Sequence, residues 1–368
     1  MSTRLSVILF VLFSSMFTAL TGDAQERKRP QKVATSTGIY DVESPGDIHK
    51  FSASEIRDLV RMENDRAQER VMRPHPVLIY CFEERTFRYT GGKYQDQTIR
   101  YRLHAPKTIR DGQKYPLVIH LHGLGEAGSN NTSSLVHLHS LLPLMIGPKQ
   151  KDFFLLVVQC HQKTPRWNFQ TTKDGTLDVL MAAMEHVIAE NPIDKRRITV
   201  TGISSGGYGV WQLLLRYPDM FAGAVPTACE APHPSQQLVA LKKTPIWSFI
   251  NKEDHQVSSE TIQVAMRVIN SSGGSMALTV CDAPKHNAWR PAMDEHNSFQ
   301  WLLAQKRGSW FAPPPGVFVY NDSSPVLLVL LMYVLPVSVI VFLLRGTIYG
   351  FAPTVFKPMN GRTDKNRP

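Results

Sequence analysis

The strongest constraint on the fold of this chain is a series of short apolar runs that alternates with stretches of helical periodicity. The runs cover residues 117–121, 153–158, 198–200, 223–226, 246–250 and 277–280. Apolar runs of this length are typical of strands that are covered on both faces. Between two of them, apolar residues recur at helical spacing over 177–188. The alternation predicts an α/β fold, with a mostly parallel, twisted sheet and helices on both faces.

A different pattern precedes these runs. Residues 86–90 and 98–103 alternate polar and apolar side chains on either side of Gly91-Gly92. Alternation around glycines predicts an antiparallel hairpin, which we expect at one edge of the parallel sheet. Further upstream, Ser52–Glu55 has the pattern of a capping box and begins an amphipathic helix predicted to end near Val71.

Charge and cysteine content exclude several classes of protein. The 368 residues include 41 basic and 31 acidic side chains, for a net charge of +10. The basic residues are scattered and form no Lys/Arg tract, so no nucleic-acid partner is expected. The cysteines have no CxxC spacing, which argues against a zinc ribbon and a thioredoxin-like site. These cysteines are Cys81, Cys160, Cys229 and Cys281.

The two ends of the chain predict export and membrane anchoring. Residues 1–24 combine a basic start, an uncharged apolar stretch and small residues, which indicates a signal peptide cleaved after Ala24. The alternative is an uncleaved N-terminal anchor. Residues 326–344 carry no charge, and at about 1.5 Å per residue they are long enough to cross a bilayer as a helix. A polar, proline-rich stalk is assigned to 309–325, and a basic tail to 345–368.

The positive-inside rule places that basic tail in the cytoplasm. We therefore expect a single-pass protein with the bulk of the chain outside the membrane. Between the two ends, residues 25–94 are assigned to an N-terminal extension that contains the amphipathic helix and the first strand of the hairpin. Residues 95–308 are assigned to the main α/β domain.

The motif that carries chemistry lies in residues 199–209. Gly202, Ser204 and Gly206 form the pattern G-x-S-x-G, with an apolar run before it and a helical pattern after it. This is the context of a nucleophile elbow, a strained strand-to-helix turn that projects the serine hydroxyl from the edge of the sheet. The backbone N–H of Ser205 is expected to face a developing oxyanion at the positive end of the helix. The alternative is a glycine-rich turn that serves only helix packing.

A serine hydroxyl needs a base, and the base needs a group that orients it. Downstream of Ser204, the acid is assigned to Asp254, which follows an apolar run; Glu253 is the competitor. The base is assigned to His286, because it lies in the loop after the last predicted strand. The competing histidines are His255 and His296.

A second oxyanion donor is expected in the glycine-containing loop 122–126 that follows the run 117–121. Leu124 is the first choice for this donor, and Gly125 is the second. Two pairs of histidines with one residue between them also suit metal ligation, and no carboxylate or cysteine cluster completes either pair. These pairs are His120 with His122 and His137 with His139. No metal and no other cofactor are therefore expected.

Three further residues are predicted to line a substrate pocket: Trp167, Asn168 and Trp289. The first two lie in the loop after the run 153–158, and Trp289 lies three residues past His286. Ligands of open α/β sheets bind at the carboxyl ends of the strands, where both loops belong. The alternative is that the indoles only pack the loops.

Taken together, the motifs resemble those of the α/β-hydrolase superfamily. Within it, the chain is similar to secreted esterases of the polyhydroxybutyrate-depolymerase, feruloyl-esterase and acetylxylan-esterase type, which are also described as prolyl-oligopeptidase-like. The resemblance covers about residues 95–308 and implies that Ser204, Asp254 and His286 form the catalytic triad. The matching segments are 101–103, 115–118, 122–126, 202–209 with Trp211, 245–247, Asp254 with Val257, His286 with Trp289, and 301–303.

This resemblance implies a serine hydrolase that cleaves carboxylic esters through an acyl-enzyme, without a cofactor. Acetyl or feruloyl esters on polysaccharide are the substrates that it suggests for an exported, anchored enzyme. Two departures bear on the pocket: Ser205 stands where such esterases commonly have a bulky residue, and residues 230–232 stand where they have glycines. The alternatives are a serine peptidase of prolyl-oligopeptidase-like type and a non-catalytic surface binding protein.

Overall fold

The chain divides into two compact units, residues 1–317 and 318–368. The computed structural model describes only residues of the first unit, namely 31–35, 38–42, 51–58, 74, 76–147, 150–160, 167–169, 175–233, 235–283 and 285–309. The predicted signal peptide, membrane span, tail and nearly all of the stalk lie outside these residues. In the part of the chain that is described, no helix is both long and apolar enough to cross a bilayer.

A large mixed sheet forms the centre of the described domain. A separate antiparallel hairpin precedes it, made of β1 (Gln31–Thr35) and β2 (Gly38–Val42). The strands of the large sheet are β3 (Glu83–Gly91), β4 (Tyr94–His104), β5 (Tyr115–Leu121), β6 (Phe154–Val158), β7 (Ile193–Ile203), β8 (Gly223–Thr227), β9 (Ile246–Asn251) and β10 (Met276–Cys281). Their order across the sheet is β10-β9-β8-β7-β5-β6-β4-β3.

Strands β5 to β10 run parallel, while β4 pairs antiparallel with β6 and β3. The predicted α/β fold, with its antiparallel hairpin at one edge, is therefore confirmed. The edge strand β3 belongs to the stretch that we assigned to the N-terminal extension, so the sheet includes residues before 95.

Helices lie between the strands and after the last one. They are α1 (Pro76–Tyr80), α2 (Leu142–Met145), α3 (Thr176–Glu190), α4 (Ser205–Arg216), α5 (Ser259–Ser271), α6 (Trp289–Asp294) and α7 (Ser298–Ala304). Successive residues of a strand point to opposite faces of the sheet. In β5, Leu117 and Ile119 join one buried apolar cluster and Val118 joins another. Helices α3, α4 and α5 contribute to the first cluster, and α1, α6 and α7 to the second, so both faces are covered.

The capping box at the N-terminal side has the predicted geometry. The backbone N–H of Ser52 donates to a carboxylate oxygen of Glu55 at 2.7 Å, and the Glu55 N–H donates to the Ser52 hydroxyl at 3.3 Å. Residues 53–58 are helical. The rest of the helix predicted to reach Val71 lies outside the described residues.

Candidate active site

Ser204 occupies the turn between β7 and α4 with a φ of 51°. Few residues with a side chain adopt this region, and such strain is found mainly where the surrounding structure enforces it. The Ser204 N–H donates to the carbonyl oxygen of Thr227 at 2.9 Å, which ties the turn to the neighbouring strand β8. Its own carbonyl oxygen accepts from the N–H of Tyr208 at 3.2 Å and starts α4.

The two glycines of the motif are required by close backbone contacts. A Cβ on Gly206 would overlap the carbonyl oxygen of Leu121 at the end of β5, and a Cβ on Gly202 would overlap the carbonyl group of Gly206. Both overlaps involve backbone atoms, which cannot move aside as a flexible side chain does. Close packing of α4 against β5 and β7 therefore requires glycine at both positions of the G-x-S-x-G pattern.

Three polar side chains form a hydrogen-bonded chain at this turn. The Nε2 of His286 lies 2.8 Å from the hydroxyl of Ser204, and its Nδ1 lies 2.7 Å from a carboxylate oxygen of Asp254. The Asp254 side chain is completely buried, and that of His286 is 15% exposed. A neutral imidazole with its proton on Nδ1 satisfies both contacts, since it donates to the carboxylate and accepts from the hydroxyl. The structure brings together all three residues predicted as a triad.

The competing residues lie elsewhere. Glu253 and His255 are exposed on the loop on either side of the buried Asp254. The ring of His296 packs against Phe249 at 5.6 Å between ring centres, away from the serine. Asp254 is held in place by the N–H of Gln256, which donates to its second carboxylate oxygen at 2.9 Å.

Asn251, which the sequence did not reveal as important, positions the histidine loop. It ends β9, is 2% exposed, and its side-chain NH₂ donates to the carbonyl of Lys285 at 2.7 Å and to the side chain of Asn287. These are the two residues on either side of His286. Lys285 itself has a φ of 62°, so this hydrogen bond fixes a backbone conformation that costs free energy.

Leu124 and Ser205 both stand at the start of a helical turn. Leu124 begins a 3₁₀ turn, Leu124–Glu126, after β5, and Ser205 is the first residue of α4. Backbone N–H groups in the first turn of a helix have no acceptor within the helix. Both residues line the same cavity as Ser204, which is the arrangement that an oxyanion hole needs. Gly125 is not among the residues that line it.

His122 is buried beneath the loop that carries Leu124. Its Nε2 accepts from the N–H of Cys160 at 2.9 Å, and its Nδ1 lies 2.6 Å from the carbonyl oxygen of Gly123, so the ring proton is on Nδ1. Burial lowers the pKa of His122, which keeps the ring neutral. The indole N–H of Trp167 donates to the His122 carbonyl at 2.9 Å. His122 and Trp167 therefore fix the backbone of the loop.

A second set of contacts joins this loop to the base. Glu126, the last residue of the 3₁₀ turn, is 5% exposed and lies 3.3 Å from the Nε2 of His137. Burial opposes its ionisation, but the hydrogen bond from the ring of His137 holds the pKa of Glu126 below its usual value. The ring of His137 packs on Trp289 at 5.0 Å between centres, and Trp289 meets the edge of His286 at 5.7 Å.

The cavity at the serine has a volume of about 430 Å³ and apolar walls. Its lining residues in the described part of the chain are Leu124, Trp167, Ser204, Ser205 and Tyr208. Leu124 is 54% exposed and Tyr208 is 44% exposed, and both belong to the few large apolar side chains on the described surface. Tyr208 was missed by the sequence analysis, although it lies four residues after Ser204 and so on the same face of α4.

The residues predicted to line the pocket have three different positions. Trp167 lines the cavity. Asn168 does not: its N–H donates to the Thr176 hydroxyl at 2.9 Å, and its carbonyl accepts from the N–H of Leu177 at 2.8 Å. Asn168 thus holds the start of α3. Trp289 also lies outside the cavity wall and packs against His286 instead.

The four histidines of the two pairs, His120, His122, His137 and His139, are buried or partly buried. His120 is almost fully buried, and burial lowers the pKa of its ring to about 3. The Nδ1 of His139 lies 3.1 Å from the carbonyl oxygen of Val136. Among the residues that the structure describes, no group of three His, Cys, Asp or Glu side chains is placed to hold a metal ion. The cysteines at 81, 160, 229 and 281 are free thiols.

Comparisons with known proteins agree with this fold. A sequence profile of the prolyl oligopeptidase family matches residues 166–231, a segment that contains Ser204. No curated protein matches the sequence. A solved structure of a thermostable esterase is 26% identical, with a TM-score of 0.53, and the match covers 63% of this chain and 64% of that chain.

Two other solved structures share less sequence. An acylaminoacyl peptidase of Pyrococcus horikoshii is 18% identical with a TM-score of 0.48, and the match covers 62% of this chain and 42% of that one. A ferulic acid esterase is 15% identical with a TM-score of 0.47, and the match covers 59% of this chain and 96% of that one. The chain thus spans less than two thirds of the length of the thermostable esterase and of the acylaminoacyl peptidase.

The fold, the profile match and the likeness to the thermostable esterase support an α/β-hydrolase of the esterase or peptidase type. They support a serine hydrolase of the esterase or prolyl-oligopeptidase-like type.

Proposed function

We propose that this protein is a serine hydrolase that cleaves carboxylic esters. The observation that carries the proposal is the hydrogen-bonded chain from Ser204 through His286 to Asp254, with contacts of 2.8 and 2.7 Å at a strained strand-to-helix turn. Acetyl or feruloyl esters on polysaccharide are the proposed substrates, since the sequence resembles esterases of that type.

In the proposed reaction, the hydroxyl of Ser204 attacks the ester carbonyl carbon while the Nε2 of His286 takes its proton. The negative charge that develops on the carbonyl oxygen is stabilised by the backbone N–H groups of Leu124 and Ser205. The carboxylate of Asp254 stabilises the imidazolium and keeps the ring in the productive orientation. The imidazolium then protonates the departing alcohol, which leaves an acyl group on the serine. Water, activated by the same imidazole, releases the acid.

The likeness to the thermostable esterase favours an ester substrate. A serine peptidase is the second candidate, because the profile of the prolyl oligopeptidase family matches the segment around the nucleophile. A panel of acetyl, feruloyl and long-chain esters and a dipeptide amide distinguishes the two. Turnover of esters without turnover of the amide supports the esterase, and preferential cleavage of the amide would overturn it.

A non-catalytic binding protein would fail a simpler test. A fluorophosphonate probe reacts only with an activated serine, so we expect it to label the wild-type protein on Ser204 and to leave Ser204→Ala unlabelled. Absence of labelling in a folded wild-type protein would contradict any serine hydrolase activity.

The contacts of Glu126 with His137 lead to a prediction about rate. Glu126→Gln keeps the shape of the side chain but removes the charge that His137 faces in the 3₁₀ turn after β5. We expect kcat to fall roughly ten- to hundredfold with little change in KM, because the oxyanion loop loses its fixed position relative to the bound ester. Steady-state kinetics on 4-nitrophenyl acetate measure both constants.

The matched control for this prediction is Glu190→Gln. Glu190 also pairs with a histidine, since its carboxylate lies 3.4 Å from the Nε2 of His186, but Glu190 is exposed at the end of α3. We expect this variant to retain wild-type kinetics. An equal loss in both variants, or none in Glu126→Gln, would show that the buried pair does not position the loop.

We further propose that the enzyme is exported and tethered to the membrane by residues 326–344, as the sequence patterns at both ends suggest. The last described helix of the domain, α7, ends at Ala304. A chain that ends at Gly308 should therefore be released as soluble, active enzyme, whereas the full-length chain should require detergent. Fractionation with an activity assay measures both. Recovery of the full-length chain in detergent-free buffer would contradict the anchor.

A further inference from the structure

A second cavity, of about 260 Å³, lies beside the one that contains Ser204. Trp167 is among the residues that line both cavities. The indole ring is held in place, because its N–H donates to the carbonyl of His122 at 2.9 Å and it packs on the imidazole of His122 at 5.1 Å between centres. The two cavities therefore share one fixed wall.

The second cavity lies on the same edge of the sheet as the nucleophile. Strand β4 pairs with β6 from Tyr101, opposite Val158, onwards, so residues 94–100 extend past the carboxyl end of β6. The cavity is formed there, between this extension of β4, loop 128–131 and the start of α3. Neighbouring strands are about 4.8 Å apart, which puts it roughly 10–15 Å from Ser204 along the edge where ligands of such sheets bind.

The walls of the two cavities differ in chemistry. Exposed Leu124 and Tyr208 make the first cavity apolar near the serine. The second cavity is lined by uncharged side chains that can form hydrogen bonds, such as Gln97 and Ser129. It is also lined by aromatic and aliphatic side chains, such as Tyr94, Ile99 and Val179. Among the described residues that line it, one is charged: Arg100, whose guanidinium is bound to the carboxylate of Glu84 at 2.6 and 2.8 Å.

We propose that the second cavity binds a neutral, hydroxylated ring, a sugar unit in the alcohol part of the ester. Amide and hydroxyl side chains pair with the hydroxyl groups of such a ring, and the face of Trp167 packs on its apolar side. The acyl group then occupies the apolar cavity at Ser204. This inference rests on the proposed function, and it adds the cavity and the residues that recognise the sugar.

The test uses two cavity variants, Gln97→Phe and Ser129→Trp, each of which places a large ring in the second cavity from a different wall. Gln95→Phe is the matched control, because Gln95 is an exposed glutamine of the same strand that does not line the cavity. Kinetics are measured on acetylated xylotriose and on 4-nitrophenyl acetate, which carries no sugar. We expect the ratio of kcat/KM for the sugar ester to that for the aryl ester to fall at least tenfold in both cavity variants and to stay constant in the control.

A binding measurement distinguishes failure of this inference from failure of the proposed function. Xylotriose, a neutral sugar oligomer without an ester, is added to Ser204→Ala, and contact is measured by saturation-transfer NMR. We expect a signal that Gln97→Phe removes and Gln95→Phe retains, whether or not the wild type hydrolyses esters. An unchanged ratio with an unchanged NMR signal would overturn the sugar assignment. The sugar assignment would also be overturned if the two cavity variants lost turnover of octanoate esters and kept turnover of sugar esters. That result would assign the cavity to an alkyl chain.

Discussion

Ser204→Ala is expected to reduce ester hydrolysis at least about a thousandfold while the protein remains folded. The hydroxyl of Ser204 lies 2.8 Å from the Nε2 of His286, and the neighbouring Ser205 contributes its backbone at the start of α4. Alanine keeps the Cβ and the backbone hydrogen bond to Thr227, so we expect the stability of the turn to change little. Initial rates on 4-nitrophenyl acetate and thermal unfolding of the same samples test the two halves of the expectation.

Ser205→Ala is the control for this variant. It removes the adjacent hydroxyl and leaves the backbone N–H, so we expect activity within a few-fold of wild type. The reverse outcome, an active Ser204→Ala and an inactive Ser205→Ala, would mean that the nucleophile had been assigned to the wrong serine of the turn.

His286→Ala is expected to cost about as much activity as Ser204→Ala, and Asp254→Asn clearly less. The imidazole takes and returns the proton, so its loss leaves the serine without a base. The acid acts through the imidazole, which it holds by the 2.7 Å hydrogen bond to Nδ1. In other serine hydrolases, the base and nucleophile each contribute about 10⁶-fold and the acid about 10⁴-fold. Measurement of kcat for the three single variants gives the order.

The double variant Ser204→Ala/His286→Ala adds a sharper test. Because the serine and the histidine act as one unit, removing both should cost no more than removing either. Additive losses would contradict the shared mechanism. Wild-type activity in His286→Ala would exclude this histidine as the base and would direct attention to His255.

The fold, and the three side chains that the structure joins by hydrogen bonds, could be predicted from the sequence because both depend on local patterns. Each apolar run forms a strand in the structure. The G-x-S-x-G motif forms a turn in which a Cβ at either glycine would overlap backbone atoms. The positions of Asp254 and His286 could be assigned because the carboxyl ends of parallel strands share one edge of the sheet. Strand ends extended beyond the predicted runs, as in β7, which begins at Ile193.

The sequence did not reveal the contacts that hold the site together. The path from Glu126 through His137 and Trp289 to His286 joins distant segments by packing alone. No spacing rule indicates such a path, so Trp289 was predicted to line the pocket when it contacts the base. The hairpin of β1 and β2 was also missed, because its apolar residues do not alternate regularly with polar ones as they do in a half-buried strand.

The topology of the sheet also sets how the proposed active site forms after synthesis or denaturation. The groups proposed for catalysis follow four different strands, β5, β7, β9 and β10, and each parallel pair joins segments that are far apart in the chain. Non-local pairing of this kind makes folding slow, because the chain loses loop-closure entropy before the stabilising contacts between distant segments form. Helices can form well before the last strand docks beside β9, and until then His286 has no fixed place. Recovery of turnover during refolding is therefore expected to lag behind the helix signal.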